Sequence, residues 1–393
     1  MKESLLLNRA YTIMWQEKFV ICLNKMHSKL RKIPFYPLGK LLLITFQNGG
    51  VSFRRIPVFI LFLLRYTLFE PFRLTEILLF ERKIRKHELQ EDPIFILGHW
   101  RSGTTHLQEL LEADSNHTTI SVYQFLFIDH FILTERWLKP PMNAFCRIFK
   151  IPYSFQRVTM NLNMPGELES AMCAGLSDHS YTWGHIFPKR YEYWFSRMIG
   201  LKRPKDQEGW LDDYDFLIKK ISFASGSKRV IVKSPGDTGR AIHLLKRYPK
   251  AKFVFIERDP ISVYHSTMYF WRVIQKEVSF QKVNDEQLQG YCINSYIKLK
   301  EAYHYFRKQI PSEQLYELTF KELISEPMET LNRIYDELEL GVLPLKQVEQ
   351  KLILKRDHQK VNYTTSPELA RDIEEKWESS QPDPNFESDE TSY

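Results

Sequence analysis

The chain has 393 residues and a net charge of +7; 43% of its residues are hydrophobic and 26% are charged. This composition is typical of a globular protein with a sizeable core, and an aromatic content of 14% excludes a disordered chain. The four cysteines form no Cys-x-x-Cys pair, so the sequence predicts neither a zinc knuckle nor a dense disulfide framework, and a reducing compartment fits.

Residues 1–90 carry an excess of about ten basic over acidic groups, interleaved with apolar residues at helical spacing. This pattern predicts amphipathic helices interrupted at Pro57 and Pro71. The most apolar stretch, residues 56–64, is well short of the about 20 apolar residues that a membrane-spanning helix needs. The start of the chain lacks the compact hydrophobic run of a secretory signal peptide. The sequence therefore predicts a cytoplasmic protein. Peripheral membrane contact through residues 1–90 and an ordinary solvated basic face remain alternatives.

Short apolar runs at residues 94–97, 230–232 and 253–256 are each followed by a helical pattern. Alternating buried strands and helices predict a parallel sheet that is covered on both faces. Asp259 and Pro260 are suited to the N-cap and first position of the helix after the third run. The predicted fold class is α/β, a P-loop-like three-layer αβα arrangement with a central parallel sheet, preceded by an N-terminal helical segment.

Three segments are predicted from these patterns. Residues 1–90 form the basic, apolar helical segment, residues 91–345 form the core, and residues 346–393 form a C-terminal extension. An amphipathic helix at residues 327–340 closes the core. Beyond Ser366 the Pro, Ser and acidic residues predict a partly disordered tail.

A glycine-bearing loop lies between the first predicted strand and its helix. A loop at this place directs backbone N–H groups and the positive end of a helix dipole at one point, which favours an anion. The glycine spacing matches that of a nucleotide-binding P-loop, but Thr104 stands where such loops have lysine, and Arg101 supplies the charge instead. The loop reads Gly98-His99-Trp100-Arg101-Ser102-Gly103-Thr104-Thr105.

Two further polar groups follow the next strands. Lys233 ends the strand at residues 230–232, at the edge of an open sheet where ligands gather. Arg258 follows the strand at residues 253–256, and Ser266 lies on the helix after it, a pair that suits a second phosphate. Each residue alone is as compatible with a structural role. Their conjunction with the loop, in this order, predicts a site for a ligand with two anionic groups.

With these motifs the chain resembles the PAPS-dependent sulfotransferase superfamily, where PAPS is 3′-phosphoadenosine-5′-phosphosulfate. The loop and the His106-Leu107 after it resemble the branch whose loop opens with arginine, as in tyrosylprotein sulfotransferases, and the resemblance covers about residues 93–340. It implies that residues 101–105 cradle the 5′-phosphosulfate and that Lys233 assists the transferring sulfuryl group. It also implies that Arg258 and Ser266 hold the 3′-phosphate.

The sequence departs from the superfamily pattern in ways that leave the general base open. Soluble cytosolic sulfotransferases usually place Lys-Thr-His where this chain has Lys233-Ser234-Pro235, so their catalytic histidine is missing. Glycan and tyrosine enzymes place a glutamate after the loop, where residues 120–124 hold no carboxylate. The tyrosine of the family's Tyr-Glu-x-Leu segment is replaced by Phe320.

Five residues are candidates for the base. Glu167 and Glu169 come first, although a solvated helix start explains them equally well. His106 beside the loop is the next candidate, followed by His179 and His185 further along the chain.

The function predicted from these motifs is transfer of the sulfuryl group of PAPS to a hydroxyl group, without a metal. The acceptor is expected to be a small-molecule or lipid alcohol, such as a sterol, because apolar helices and aromatic residues suit a hydrophobic pocket. A glycan sulfotransferase, a P-loop kinase or NTPase, and an inactive nucleotide-binding membrane module are the alternatives. A nucleic-acid partner is not predicted.

Overall fold

A computed structural model describes residues 32–201 and 203–353, together with five positions between residues 367 and 375. Cys22 and most of the predicted acidic tail lie outside the described residues.

The centre of the fold is a parallel sheet of five strands, which are β1 Ile94–Leu97, β2 His117–Thr118, β5 Arg229–Lys233, β6 Lys252–Glu257 and β7 Leu315–Thr319. Their order across the sheet is β2-β5-β1-β6-β7. The central strand β1 pairs with β5 and β6, so that Phe95 lies between Val232 and Phe253. A separate antiparallel hairpin consists of β3 Pro152–Tyr153 and β4 Val158–Thr159.

Helices cover the sheet and precede it. They are α1 Tyr36–Gln47, α2 Ile56–Leu68, α3 Glu70–Lys86, α4 Thr104–Leu111, α5 Val122–Leu126, α6 Phe131–Ile148, α7 Leu168–Ala174, α8 Trp183–Ile186, α9 Tyr191–Gly200, α10 Pro204–Ala224, α11 Ala241–Arg247, α12 Pro260–Glu277, α13 Asp285–Arg307, α14 Phe320–Ser325, α15 Pro327–Glu337 and α16 Leu345–Ile353.

The side chains of the central strands alternate between two cores. Phe95, Val232 and Phe253 pack into one core, which includes residues of α10 and α11. Ile96 and Val254 pack into the opposite core with residues of α4 and α15. All four residues of β1 are buried, which explains their continuous apolar sequence. The predicted three-layer αβα fold with a central parallel sheet is confirmed.

The N-terminal helices are present and pack on the sheet domain. Phe59 and Phe62 of α2 both meet the ring of Phe280 edge-on, with ring centroids 5.2 Å apart. Pro57 and Pro71 lie in the first turns of α2 and α3, where a missing N–H breaks no helical hydrogen bond. Among the described residues, no helix combines the length and apolarity of a membrane span. The segment limits at residues 90 and 345 stay predictions.

Candidate active site

The loop after β1 is held in a compact turn by the sheet beneath it. Gly98 has φ +140°, and a Cβ at this position would lie 2.7 Å from the carbonyl oxygen of Ile256. Its N–H donates to Oγ1 of Thr238 at 2.8 Å. The hydroxyl of Ser102 donates to the carbonyl oxygen of His99 at 2.8 Å, which closes the turn. Glycine is therefore required where the loop leaves the strand.

The loop ends at the start of α4 with a second position that requires glycine. Gly103 is the N-cap of α4 at φ +108°, and a Cβ there would lie 2.3 Å from the ring of Phe320. Because glycine has no side chain to accept from the first-turn N–H groups, these donors are left for another acceptor. Thr104 is buried and Thr105 half-buried at the same helix start. The geometry is that of a backbone anion site.

Arg101, Ser266 and Arg258 lie together beside the loop. Arg101 has φ +68°, and its Nε donates to Oγ of Ser266, on α12, at 2.8 Å. Nη1 of Arg258 donates to the carbonyl oxygen of Arg101 at 3.2 Å. The guanidinium of Arg258 also lies over the ring of Phe320, 4.3 Å from its centroid. The structure thus brings Arg101 together with Arg258 and Ser266, which lie 157 and 165 residues later in the sequence.

Lys233 and Glu167 form an ion pair. Lys233 is buried at the carboxyl end of β5, and its Nζ lies 2.5 Å from Oε1 of Glu167. Glu167 is the N-cap of α7 and is partly exposed. The segment before it is fixed because Nε2 of Gln108, on α4, donates to the carbonyl oxygen of Gly166 at 3.2 Å. Helix α4 therefore helps to position Glu167, whose carboxylate contacts Lys233.

Glu169 occupies a different environment from Glu167. It is fully buried, and its Oε2 accepts from Nη2 of Arg240 at 2.8 Å while its Oε1 accepts from the N–H of Tyr181 at 2.9 Å. Arg240 also pairs with Asp237 at 2.8 Å, and burial raises the pKa of Asp237 to about 7. Both oxygens of Glu169 are engaged in this network, so its geometry is that of a structural carboxylate.

The candidate histidines lie in unlike surroundings. His106 is half-buried in the first turn of α4. Nδ1 of His179 lies 3.1 Å from Oδ2 of Asp213. His185 is buried among aromatic rings, and burial lowers its pKa to about 3. Burial likewise lowers the pKa of His99, within the loop, to about 4. His99 and His185 are therefore neutral at physiological pH.

Tyr153 is a site residue that the sequence did not indicate. It lies in β3, and its pKa is raised above the ordinary value by burial and further by the negative charge of Glu167, while Arg101 opposes the rise. The hairpin is fixed on α12, because the Tyr269 hydroxyl donates to the carbonyl oxygen of Ser154 at 3.1 Å. No local motif marks a hairpin of two-residue strands, so sequence reasoning missed it.

Within the described ranges, no group of three or more His, Cys, Asp or Glu side chains is placed to hold a metal ion. Cys146, Cys173 and Cys292 are buried free thiols.

Fold and site together define a P-loop-like α/β protein with a backbone anion site, a second cationic group beside it, and a lysine–carboxylate pair at the same sheet edge. Residues 93–344 match the sulfotransferase family, and the chain belongs to that family. The predicted sulfotransferase activity is thereby confirmed at the level of the family.

Known relatives agree with this assignment. The chain is 30% identical, over 76% of its own length and 76% of the relative's, to the omega-hydroxy-beta-dihydromenaquinone-9 sulfotransferase Stf3 of Mycobacterium bovis. The crystal structure of sulfotransferase STF1 from Mycobacterium tuberculosis H37Rv has a TM-score of 0.64 at 17% identity, covering 90% of this chain and 98% of that one. Sulfotransferase STF9 from Mycobacterium avium has a TM-score of 0.61 at 16% identity, covering 78% and 81%. Both structures share the fold.

Proposed function

We propose that the protein transfers the sulfuryl group of PAPS to the hydroxyl group of an apolar alcohol, with Glu167 as the general base. The 2.5 Å contact between Glu167 and Lys233 is the observation that carries this proposal, since it sets a proton acceptor beside a cation at the carboxyl edge of the sheet. Glu169, by contrast, is fully buried and has both carboxylate oxygens engaged by Arg240 and Tyr181.

The residues around the loop fit a ligand with two anionic groups. The first-turn amides of α4, together with Ser102, Thr104 and Thr105, would receive the 5′-phosphosulfate. Arg258 and Ser266 would hold the 3′-phosphate, since an arginine and a hydroxyl together offer charge and a directed hydrogen bond. Arg101 contributes its backbone to the loop and its guanidinium, through Ser266, to the second group.

The chemistry assigned to this chain consists of holding charge and moving one proton. Glu167 accepts the proton of the acceptor hydroxyl as its oxygen attacks sulfur in line with the leaving phosphate. Lys233 places a fixed positive charge where negative charge grows on the sulfuryl and bridging oxygens. Tyr153 lies on the hairpin near Glu167 and Arg101, whose charges act on its hydroxyl group. PAPS supplies the activated sulfuryl group, and no step requires a metal.

An apolar acceptor is favoured by the relative whose name gives a menaquinone-derived lipid as its substrate. It is also favoured by apolar side chains on α2, where Leu61, Leu64 and Leu68 are exposed and Arg54 and Arg55 precede the helix. Apolar groups beside basic ones suit contact with a membrane that supplies a lipid. We therefore retain peripheral membrane contact through residues 1–90, in a reducing compartment such as the cytoplasm.

A set of parallel incubations tests the donor and the acceptor. The protein is given PAPS labelled in its sulfate together with a long-chain alcohol, a sterol or an oligosaccharide, and in parallel ATP labelled in its γ-phosphate. Label in the apolar alcohol, absent with Glu167→Gln, is the expected result. Sulfation restricted to the oligosaccharide would overturn the acceptor. Transfer from ATP alone would favour the kinase alternative, and no transfer from either donor would favour the inactive module.

A further inference from the structure

Helix α6 carries an apolar surface that the proposed reaction does not use. Trp137, Phe145, Ile148 and Phe149, which follows the helix, have exposed fractions of 52%, 54%, 70% and 63%. These four side chains, called here the α6 face, fall on one side of the helix at its repeat of three to four residues. Large aromatic groups exposed in such a cluster mark an interaction surface.

The segment that carries the α6 face is rich in basic residues. Residues 136–166 contain no Asp or Glu, whereas they contain five basic residues. One of these, Lys139, pairs with Glu135 at 2.7 Å. Arg136, Arg147 and Lys150 are exposed next to the apolar groups. An apolar stripe bordered by basic groups is complementary to anionic lipid headgroups above an acyl layer.

The α6 face is continuous with the candidate active site. Ile151 donates its N–H to the carbonyl oxygen of Cys146 at 2.9 Å, which ties the end of α6 to the hairpin that carries Tyr153. On the far side of the hairpin, the N–H of Leu162 donates to Oδ1 of Asn143, on α6, at 2.8 Å. From Leu162 the chain continues to Glu167. A surface bound at α6 therefore lies beside the hairpin that carries Tyr153.

We propose that the α6 face binds the surface of an anionic lipid bilayer and sets the hairpin side of the active site against the membrane. Trp137 and Phe145 insert at the headgroup level, and Arg147 and Lys150 contact the phosphates. The part of this proposal that concerns lipid acceptors rests on the proposed function, whereas membrane binding itself does not depend on catalysis.

Vesicle co-sedimentation tests the binding. The full-length protein is mixed with vesicles of phosphatidylcholine alone or with phosphatidylglycerol, and the variant Phe145→Asp/Ile148→Asp is compared with Val342→Asp. Val342 is 92% exposed between α15 and α16 and is the matched control. We expect the double variant to bind anionic vesicles at least about tenfold more weakly, since burial of one apolar side chain is worth that factor. The control should bind like the wild type.

The other occupants of the α6 face give different results. Unchanged vesicle binding by Phe145→Asp/Ile148→Asp, with loss only in Leu61→Asp/Leu64→Asp on α2, would overturn the proposal and leave the contact through residues 1–90 intact. Dissociation of a dimer by the α6 variant in sedimentation velocity, with vesicle binding unaltered, would assign the face to a second copy. Equal binding to neutral vesicles and no loss in Arg147→Glu/Lys150→Glu would also refute it.

An activity measurement separates this proposal from the proposed function. The α6 double variant should turn over a short, water-soluble alcohol at the wild-type rate, and a long-chain alcohol embedded in anionic vesicles several-fold more slowly. Equal slowing with both acceptors contradicts the membrane role. A wild-type protein that binds vesicles yet transfers no sulfuryl group fails the proposed function and supports the α6 face.

Discussion

Replacing Glu167 and Glu169 separately by glutamine tests the proposal that Glu167 is the general base and that Glu169 is structural. Glu167 is partly exposed and its carboxylate contacts Lys233 at 2.5 Å. Glu167→Gln keeps the shape of the side chain and removes its ability to take a proton. Because general base catalysis contributes about 10²–10⁴ in rate, kcat should fall by that factor. Folding should lose less than the about 3–5 kcal/mol of a broken, fully buried pair, because Glu167 is partly exposed although Lys233 is buried.

Glu169→Gln should give the opposite result. The substitution directs an amide N–H₂ group or a neutral oxygen at the buried guanidinium of Arg240, which keeps Asp237 as its remaining partner. Removing one member of a buried ion pair costs about 3–5 kcal/mol, and the remaining carboxylate keeps the loss near the lower end. The free energy of unfolding should fall accordingly. The chemical step should be retained in whatever fraction stays folded at low temperature.

The two effects are read from separate measurements on the same preparations. Urea unfolding gives the free energy of each variant, and single-turnover transfer from labelled PAPS across a range of pH gives the chemical rate. Glu167→Gln should slow transfer across the whole pH range while its affinity for 3′,5′-bisphosphoadenosine stays at the wild-type value. A folded Glu167→Gln with an unchanged pH–rate profile, or a stable but inactive Glu169→Gln, would refute the assignment.

Three further predictions follow from the same geometry. Lys233→Met should lower kcat by about 10²–10³ with near-normal bisphosphate affinity, measured by single-turnover kinetics and calorimetry, because its charge meets a developing anion. Arg258→Ala should weaken binding of 3′,5′-bisphosphoadenosine but leave adenosine 5′-phosphosulfate unaffected in calorimetry, and equal losses would make Arg258 structural. Burial holds the pKa of His185 at about 3, below the ordinary 6.5, so the unfolded chain binds its proton first. The free energy of unfolding should therefore fall as pH drops from about 6.5 toward 3, and His185→Phe should make this decline shallower in urea unfolding at successive pH.

Local signals in the sequence were sufficient for the centre of the fold. The apolar run at residues 94–97 forms β1, and Asp259 caps α12 by accepting from the N–H of Ser262 at 2.8 Å. Both depend on neighbouring residues alone. The position of Lys233 at the carboxyl end of β5 was predictable for the same reason, because the end of a buried strand is visible in the pattern.

The sequence does not separate the proposed base Glu167 from Glu169, because the difference between them depends on contacts between distant segments. Glu167 and Glu169 share a helix start and are equally suited to it by local rules. Lys233, on β5, contacts Glu167, whereas Arg240 contacts Glu169. No residue pattern near position 167 predicts either contact. The hairpin with Tyr153 was missed for a different reason, because strands of two residues carry no periodic pattern.

The pairing of Lys233 with Glu167 has a consequence for the order of events in the site. Each group compensates the charge of the other at 2.5 Å, so neither is available in full to a second partner. An anionic phosphosulfate held by the loop would compete with Glu167 for Lys233. Drawing the lysine away would free the carboxylate oxygen that it contacts, and that oxygen would then accept the hydrogen bond of the acceptor hydroxyl. Occupation of the donor site would thus release Glu167 for the acceptor hydroxyl, and the reacting groups would be activated only when the donor is in place.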